Sequence, residues 1–341
     1  MQKSYEQTFK SLHSRLIAIH QGEYPQDILE NLGKLGFYNA FLNHKEKGLP
    51  QAIKSIYEVS KVCGNTGFCV WCQNVLAWYL FHNKNTQELF CKVSKGEILG
   101  GTGLSNPIKS FNQIESIKLK AQKTEGGYLI NGTLPWVSNI QYGHYFGIIA
   151  QLEEDYIMGI VQCDKNHLTL KEEVHFIALE GSATQAVYFK DYFLKEAFVL
   201  KWSEISSYIT PGFILMQGGL GLGILQKALE ILEQHKDSKN QINAFLPYDI
   251  SNFYAQKEAL TNKAFHLACN PYDLSKSYLH QCLKLKFDLA TLLLESAQAV
   301  MLATGTKGYL KDSLASKLLL EAYFVAIVTP SLKHIQKILK G

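Results

Sequence analysis

Arginine is nearly missing from this sequence. Arg15 is the only arginine among 341 residues, and lysine supplies the rest of the basic charge. Arginine is the usual side chain for planar, bidentate binding of phosphate or carboxylate, whereas lysine acts as a point charge. The chain therefore cannot hold anionic ligands mainly through arginine clamps.

A strong excess of one charge and low-complexity sequence are also missing. The 34 basic and 30 acidic residues leave a net charge of +4, and 47% of the residues are hydrophobic. This composition excludes a disordered chain, a collagenous fibre and a disulfide scaffold, and the dispersed charge gives no nucleic-acid footprint. We expect a soluble globular protein of two or three packed lobes, without a nucleic-acid partner.

The cysteines predict a reducing compartment and no metal site. Seven cysteines are an odd number, and the opening MQKSYEQTFK lacks the apolar core of a secretory signal. We therefore expect a cytoplasmic location. Cys69 and Cys72 form a C-x-x-C pair, but no second pair completes a zinc site. Because FCVWCQNVLAWYLF is typical of a buried helix, we expect these two thiols to be buried.

One uncharged run, residues 206–226, is long enough to span a bilayer. It contains Pro211, Gln217 and several glycines, and its continuation is amphipathic. A buried helix preceded by a loop is therefore the prediction, without a membrane span.

Hydrophobic periodicity divides the chain into three parts. Residues 1–98 have a helical pattern, in which PQDILENLGKLGF predicts one apolar helix face ending at Gly36. Strand patterns follow over residues 99–202, beginning with the alternating IKLKAQ at 117–122. Asn131-Gly132 is the strongest short hairpin signal. Further strands are predicted at YFGIIAQL, YIMGIVQC, HLTLKEE and TQAVYFKDY. The helical period returns over residues 203–341.

General catalytic motifs are absent. The sequence has no G-x-G-x-x-G after a strand, no P-loop, no H-E-x-x-H and no G-x-S-x-G. GGLGLG at 218–223 has a helical context, which favours close helix packing over phosphate binding. The eleven histidines lack ligand spacing, and we expect His82, His144 and His334 to be surface or hydrogen-bonded core residues.

Four segments, in order along the chain, resemble the acyl-CoA dehydrogenase superfamily. They are TGLSNP (102–107), AQKTEGGYLINGTLPWVSN (121–139), ALEGSATQAVYFKDYFLKEAFVL (178–200) and GTKGYLKDSLASKLLLEA (305–322). The W-V-S-N block is the most specific of them. The resemblance implies an α+β, mainly α fold with an N-terminal helical domain, a middle β-barrel or sandwich and a C-terminal four-helix bundle.

The resemblance also implies a flavoprotein that binds FAD across the subunit interface of a homodimer or homotetramer. Leu104 and Ser105 would bind the pyrimidine edge of the flavin ring through backbone and hydroxyl groups. Trp136 would cover one face of the ring, and Ser138 would donate a hydrogen bond near its N5 atom. The flavin supplies the redox chemistry in such proteins, while the protein orients it and tunes its charge.

The position of the family's catalytic glutamate departs from this pattern. Counting from the glycine-rich turn before the last helices places Thr329 there, and a threonine hydroxyl cannot act as a base near neutral pH. A minority of the family places the glutamate on the first C-terminal helix, where this chain has Phe213 or Gly212. Other carboxylates on the C-terminal helices include Glu258, Asp288, Glu295 and Glu321, the last of which is expected to be structural.

The dinucleotide end of the pattern is weak as well. Lys239 takes the place of the family's arginine for the neighbour's FAD, Leu302 replaces a glutamine and Glu180 replaces an arginine. Lys239 would act as a point charge on a phosphate. The expectation is therefore FAD that is weakly bound, flavin that is supplied in the reduced form, or an empty site.

Three functions are consistent with this pattern. The first is a flavin-dependent oxidoreductase for the CH–CH group of an acyl thioester, acyl-CoA being one candidate, or a related small molecule, with an electron-transfer partner. The second is a flavin-dependent monooxygenase of the same fold that uses oxygen and reduced flavin from a partner reductase. The third is a non-catalytic relative with a binding or assembly role.

Overall fold

Seven α-helices precede the first strand in the computed structural model, which describes residues 2–171, 175–236 and 242–340. They are α1 (Gln2–Ser14), α2 (Leu16–His20), α3 (Gln26–Lys34), α4 (Ala40–His44), α5 (Leu49–Ser60), α6 (Gly64–Phe81) and α7 (Gln87–Ser94). The helix predicted at PQDILENLGKLGF is α3, which buries Ile28, Leu29 and Leu32. Gly36 follows it with a φ of 88°, a conformation that glycine adopts without strain.

Helix α6 passes through the interior of the protein. Its side chains are buried from Gly64 to Leu80, and the thiols of Cys69 and Cys72 are free and fully buried, as predicted. Gln73 on this helix donates to the carbonyl groups of Val93 and Ile98 and accepts from the amide of Gly100. One buried amide side chain thus ties the helical part to the first strand.

Eight strands form one sheet between Gly100 and Lys201. They are β1 (Gly100–Thr102), β2 (Leu119–Thr124), β3 (Gly127–Val137), β4 (Tyr145–Leu152), β5 (Asp155–Gln162), β6 (Leu168–Lys171), β7 (Gln185–Lys195) and β8 (Val199–Lys201), and the short helix α8 (Ser105–Phe111) follows β1. The order is β6-β7-β3-β2-β4-β5-β8, and β1 pairs with β4. Leu119, Ile130, Phe146 and Val161 belong to a separate core of this sheet.

The hairpin predicted at Asn131-Gly132 is wrong. The chain turns between β2 and β3 at Glu125 and Gly126, and Asn131-Gly132 lies within β3 at a shift in its pairing with β7. The Asn131 side chain exchanges two hydrogen bonds with Asp191 on β7. Gly132 adopts a φ of 128° there, so the Asn-Gly pair serves a β-bulge rather than a turn.

Helix α9 (Trp202–Lys236) contains the uncharged run. The predicted loop before this helix is wrong, because the helix starts at Trp202 and includes Pro211. Its most apolar stretch is 89% buried inside the fold. A Cβ on Gly219 would lie 2.5 Å from the carbonyl oxygen of Ile53, and one on Gly223 would lie 2.6 Å from that of Tyr57. The glycines therefore let α9 pack closely against α5, as the helical context predicted.

The remaining helices are α10 (Ile250–Ala268), α11 (Lys276–Thr304), α12 (Leu314–Ile327) and α13 (Leu332–Lys340). By length and composition alone, α9 and the segments Lys276–Lys307 and Leu314–Lys340 could cross a membrane. The most apolar stretches of the second and third are 44% and 50% buried inside the fold. Helices α9 to α12 pack together beside the sheet. The predicted α+β, mainly α architecture with a C-terminal helical bundle is confirmed.

Candidate active site

A cavity of about 300 Å³ lies where the end of β3, the start of α8 and the helices α6, α9 and α12 meet. Its walls are mainly apolar and carry a few hydroxyl groups. The residues that line it are Phe68, Trp71, Thr102, Ser105, Lys109, Trp136, Ser138, Phe176, Ala178, Leu179, Ser182, Thr184, Phe213, Phe324, Ile327, Val328 and Thr329. Its size is at the lower end of the usual range for small-molecule sites.

The W-V-S-N block reaches the cavity through a single β-bridge. Ser138 pairs with Thr102, and the Ser138 amide donates to the Thr102 carbonyl group over 3.4 Å. A Cβ on Gly101 would lie 1.8 Å from the Ser138 carbonyl oxygen, so this close approach requires glycine. Asn139, the last residue of the block, is fully buried and donates to the carbonyl group of Gly100 over 2.7 Å.

A chain of hydroxyl groups ends at Ser138. Ser182 Oγ and Thr184 Oγ1 are 2.9 Å apart, and Thr184 Oγ1 donates to Ser138 Oγ over 3.0 Å. Because Ser138 Oγ accepts this bond, its own proton remains available. Ser138 lines the cavity, so it can donate a hydrogen bond to a ligand there.

Aromatic side chains form much of the cavity wall. Trp136 is 39% exposed and its ring centroid lies 5.6 Å from that of Phe176. Phe68 and Trp71 on α6 are stacked, and Trp71 also contacts Phe213 edge to face. A partly exposed tryptophan and buried aromatic rings in the wall of one cavity suit a flat, partly apolar ligand.

Thr329, which aligns with the catalytic glutamate of the family, lies in the wall of the same cavity. Its hydroxyl group is 2.8 Å from that of Ser105. The carbonyl group of Thr329 accepts from Gln217 over 2.9 Å, and that of Val328 accepts from the buried Lys286 over 2.8 Å. The structure thus brings Ser105, Trp136, Ser138 and Thr329 together, while Leu104 is buried at the start of α8 and is not part of the wall.

Lys109 is a cavity residue that the sequence did not single out. It lies on α8, one turn after Ser105, and it is the only ionisable side chain among the described residues that line the cavity. The i, i+4 spacing from Ser105 in SNPIK is the signal that places it on the same helix face.

The candidate carboxylates lie elsewhere. Glu258, Asp288 and Glu295 do not line the cavity, and Asp288 pairs with Lys284. Glu321 forms a buried ion pair of 2.6 Å with Lys317, which agrees with a structural role. Burial alone would lower the pKa of Lys317, but attraction to Cys63 and Glu321 raises it.

The structure describes only some of the residues that were predicted to lie at the dinucleotide end of FAD. Lys239 lies outside the described residues. Leu302 is exposed, and Glu180 accepts from the Phe176 amide over 2.6 Å and contacts His175. Asn243 donates to the carbonyl groups of His235 and Ala303, so its amide helps to join two helices.

Two histidines differ from expectation. His334 is buried and His82 is partly buried, yet the Nε2 atom of each lacks a hydrogen-bond partner within the part of the chain that the structure describes. Burial, and after it the charges of Lys286, Lys109 and Lys337, together lower the pKa of His334 to about 4. His334 is therefore neutral near pH 7. His144 is buried and contacts the Asn139 carbonyl group, as expected of a core histidine.

Sequence comparison finds acyl-CoA dehydrogenases, although no family model matches the chain. The chain is 22% identical over 233 residues to benzylmalonyl-CoA dehydrogenase of Aromatoleum aromaticum, which covers 64% of this chain and 62% of that protein. It is 21% identical over 286 residues to mitochondrial isovaleryl-CoA dehydrogenase of Oryza sativa subsp. japonica, covering 78% and 69%. The chain spans about half to two thirds of the length of the first curated relatives that it matches.

Structure comparison finds the same fold. Butyryl-CoA dehydrogenase from Megasphaera elsdenii superimposes with a TM-score of 0.86 at 16% identity, over 99% of this chain and 95% of that one. An FAD-dependent dehydrogenase gives 0.81 at 14%, over 97% and 96%. Dibenzothiophene monooxygenase from Paenibacillus sp. A11-2 gives 0.81 at 14%, over 99% and 95%. The resemblance to the acyl-CoA dehydrogenase superfamily, and the fold that it implies, are confirmed.

Proposed function

We propose that this chain, which has the fold and sequence pattern of the acyl-CoA dehydrogenases, is a flavin-dependent oxidoreductase for the CH–CH group of an acyl thioester or a related small molecule. The observation that carries the proposal is the cavity in which Ser105, Trp136 and Ser138 meet. These are three of the residues that the family resemblance assigns to the flavin ring.

The residues present fit the ring end of FAD. Ser138 has a hydroxyl proton available and lines the cavity, and Trp136 exposes a large aromatic surface at the same place. Trp136 would cover one face of the ring, Ser138 would donate to it, and Ser105 would hold its pyrimidine edge. The Leu104 backbone is assigned to that edge by the family resemblance alone, since Leu104 does not line the cavity. When bound, FAD would accept the hydride that the substrate loses, and the α-proton would pass to a displaced base other than Thr329.

The adenosine end of FAD would be held by a second copy of the chain. Support comes from exposed apolar side chains near the ends of α11 and α12, where Tyr309 is 84% exposed and Leu302, Leu310 and Ile327 are also exposed. Such a surface is typical of a protein–protein interface. A homodimer or homotetramer in the cytoplasm, with Lys239 close to a phosphate and an electron-transfer partner, completes the proposal.

A monooxygenase is the second candidate. None of the described cavity residues is a carboxylate, and Thr329 cannot remove the α-proton of a thioester near neutral pH. A monooxygenase that receives reduced flavin from a partner reductase does not need that base. The structural likeness to dibenzothiophene monooxygenase is consistent with this alternative.

Two reactions separate the candidates. Purified protein loaded with FAD is mixed with a series of acyl-CoA thioesters without oxygen, and the visible flavin band is followed. Loss of the band supports the dehydrogenase, whereas an unchanged band with every thioester counts against it. A second sample receives reduced flavin, oxygen and small aromatic or amine substrates. Oxygenated product there supports the monooxygenase, and inactivity in both samples supports a binding or assembly role.

A further inference from the structure

Lys109 brings a positive charge into a cavity that is otherwise free of ionisable side chains among the described residues. The cavity is otherwise lined by hydroxyl groups and by apolar or aromatic side chains. The hydroxyl groups are those of Thr102, Ser105, Ser138, Ser182, Thr184 and Thr329. Phe68, Trp71, Phe213 and Phe324 supply much of the remaining wall. In such weakly polarisable surroundings an anionic group is attracted more strongly than in water.

The nearest carboxylate does not use all of the hydrogen-bonding capacity of the Lys109 ammonium group. Glu115 Oε1 is 3.8 Å from Lys109 Nζ, beyond the usual 2.7–2.9 Å of a charge-assisted hydrogen bond. The same oxygen accepts from Asn106 Nδ2 over 2.8 Å. Lys109 therefore has hydrogen-bonding capacity left for a ligand in the cavity.

Two further lysines, Lys286 and Lys337, lie with Lys109 around His334. Lys286 donates to the Val328 carbonyl group, and Lys337 donates to the carbonyl groups of Asn112 and Gln113. Both lysines, together with Lys109, act electrostatically on the buried His334. Burial lowers the pKa of Lys286 well below its ordinary value, so the positive field here comes mainly from Lys337 and Lys109. Lys109 is the one of the three that reaches the cavity wall.

We infer that Lys109 binds a carboxylate on the acyl group of the substrate. Taken with the proposed function, on which the thioester part rests, the substrate class is an acyl thioester that carries a second carboxyl group. The carboxylate would lie against Lys109, and the hydrocarbon part against the aromatic wall formed by Phe68, Trp71 and Phe213.

The test compares two thioesters of equal length, glutaryl-CoA and valeryl-CoA, which differ by a terminal carboxylate in place of a methyl group. Their dissociation constants are measured by calorimetry on the flavin-loaded wild type, Lys109→Met and Lys109→Arg. We expect the wild type to prefer glutaryl-CoA by about ten- to a hundredfold, as a charge-assisted hydrogen bond allows. Lys109→Met should lose this preference, and Lys109→Arg should keep most of it.

Three outcomes would overturn the inference. They are equal wild-type affinities for the two thioesters, a preference that survives in Lys109→Met, and loss of flavin from Lys109→Met with the thioester preference intact. The last would mean that Lys109 serves the flavin. Flavin content is therefore measured by absorbance in each variant.

A pair of ligands without CoA separates this inference from the proposed function. Pentanoate and pentanamide have the same length, and only the first is an anion. If neither thioester binds, but the wild type prefers pentanoate and Lys109→Met does not, the anion site stands and the thioester proposal fails. If pentanoate shows no preference that depends on Lys109 either, the anion site fails too.

Discussion

The hydroxyl groups of Ser105 and Thr329 are 2.8 Å apart across the wall of one cavity, although the residues are 224 positions apart in the chain. Ser105 starts α8, and Thr329 follows α12, so this pair joins the β-region to the C-terminal helices. The residue that aligns with the family's catalytic base, Thr329, therefore lies in the wall of the cavity. Its side chain is a hydroxyl group that forms a hydrogen bond with the hydroxyl group of Ser105.

Introducing a carboxylate at this position should create a base. We expect Thr329→Glu to accelerate exchange of the α-proton of a bound acyl thioester with solvent by about a hundredfold or more, because a positioned general base contributes rates of that order. The measurement is deuterium uptake at the α-carbon from D₂O, followed by mass spectrometry. Thr329→Gln, of similar size but without charge, is the matched control. Equal exchange in the two variants would show that position 329 does not face the α-carbon.

Removing the Ser138 hydroxyl group, whose proton is available to a ligand, should weaken flavin binding. In Ser138→Ala, we expect the dissociation constant for FAD to rise about three- to tenfold, the equivalent of one neutral hydrogen bond. Fluorescence titration of FAD measures this constant. Ser203→Ala, at an exposed serine of α9, should leave it unchanged. An unchanged constant in Ser138→Ala would remove Ser138 from the flavin site.

Alanine substitutions at two adjacent glycines of α9 should change the free energy of unfolding in opposite directions. A Cβ on Gly219 would lie 2.5 Å from the Ile53 carbonyl oxygen, whereas one on Gly218 has no neighbour within 4 Å. Gly219→Ala should therefore lower the free energy of unfolding by about 1–3 kcal/mol through overpacking. Gly218→Ala should raise it by about 0.5–1 kcal/mol, because alanine restricts the unfolded chain and favours helix. Urea unfolding measures both. Equal effects would argue against the close packing of α9 on α5.

Acid should destabilise the protein through His334. The pKa of its ring is about 4 in the folded protein, against an ordinary value of 6.5, so the unfolded chain binds more protons between these pH values. The stability that the neutral ring allows is complete above pH 6.5 and is lost as the pH falls towards 4. We expect the wild type to lose up to about 1.4 kcal/mol per pH unit in this window relative to His334→Gln.

Urea midpoints at pH 7, 6 and 5 measure this loss. His266→Gln, which changes an exposed histidine, is the control and should follow the wild type. Parallel pH profiles for the wild type and His334→Gln would contradict the low pKa of His334.

Local sequence patterns predicted the fold well where one interaction dominates. The apolar face of α3, the buried Cys69 and Cys72 and the glycines of α9 all follow from periodicity and side-chain size. Asn131-Gly132 failed for a related reason: the dipeptide favours positive φ values, which both a turn and a bulge require. Only the pairing of β3 with β7, a long-range interaction, decides between them.

The candidate site was predictable where the family pattern holds and obscure where the chain departs from it. Trp136 and Ser138 lie in the most specific block and reach the cavity together. No sequence motif predicts the role of Lys109 or the lack of a partner for His334 Nε2. The surroundings of these two residues are formed by α8, α11 and α13, which are far apart in the sequence. Helical spacing could have placed Lys109 beside Ser105, but not inside a cavity.

The most direct test of the flavin cavity is the visible absorption spectrum of the purified protein, before and after soaking with excess FAD and gel filtration. The proposed function predicts a flavin band that elutes with the protein, at least in the soaked sample, and that is weaker in Ser138→Ala. A protein fraction without the band in both samples would contradict a bound-FAD oxidoreductase.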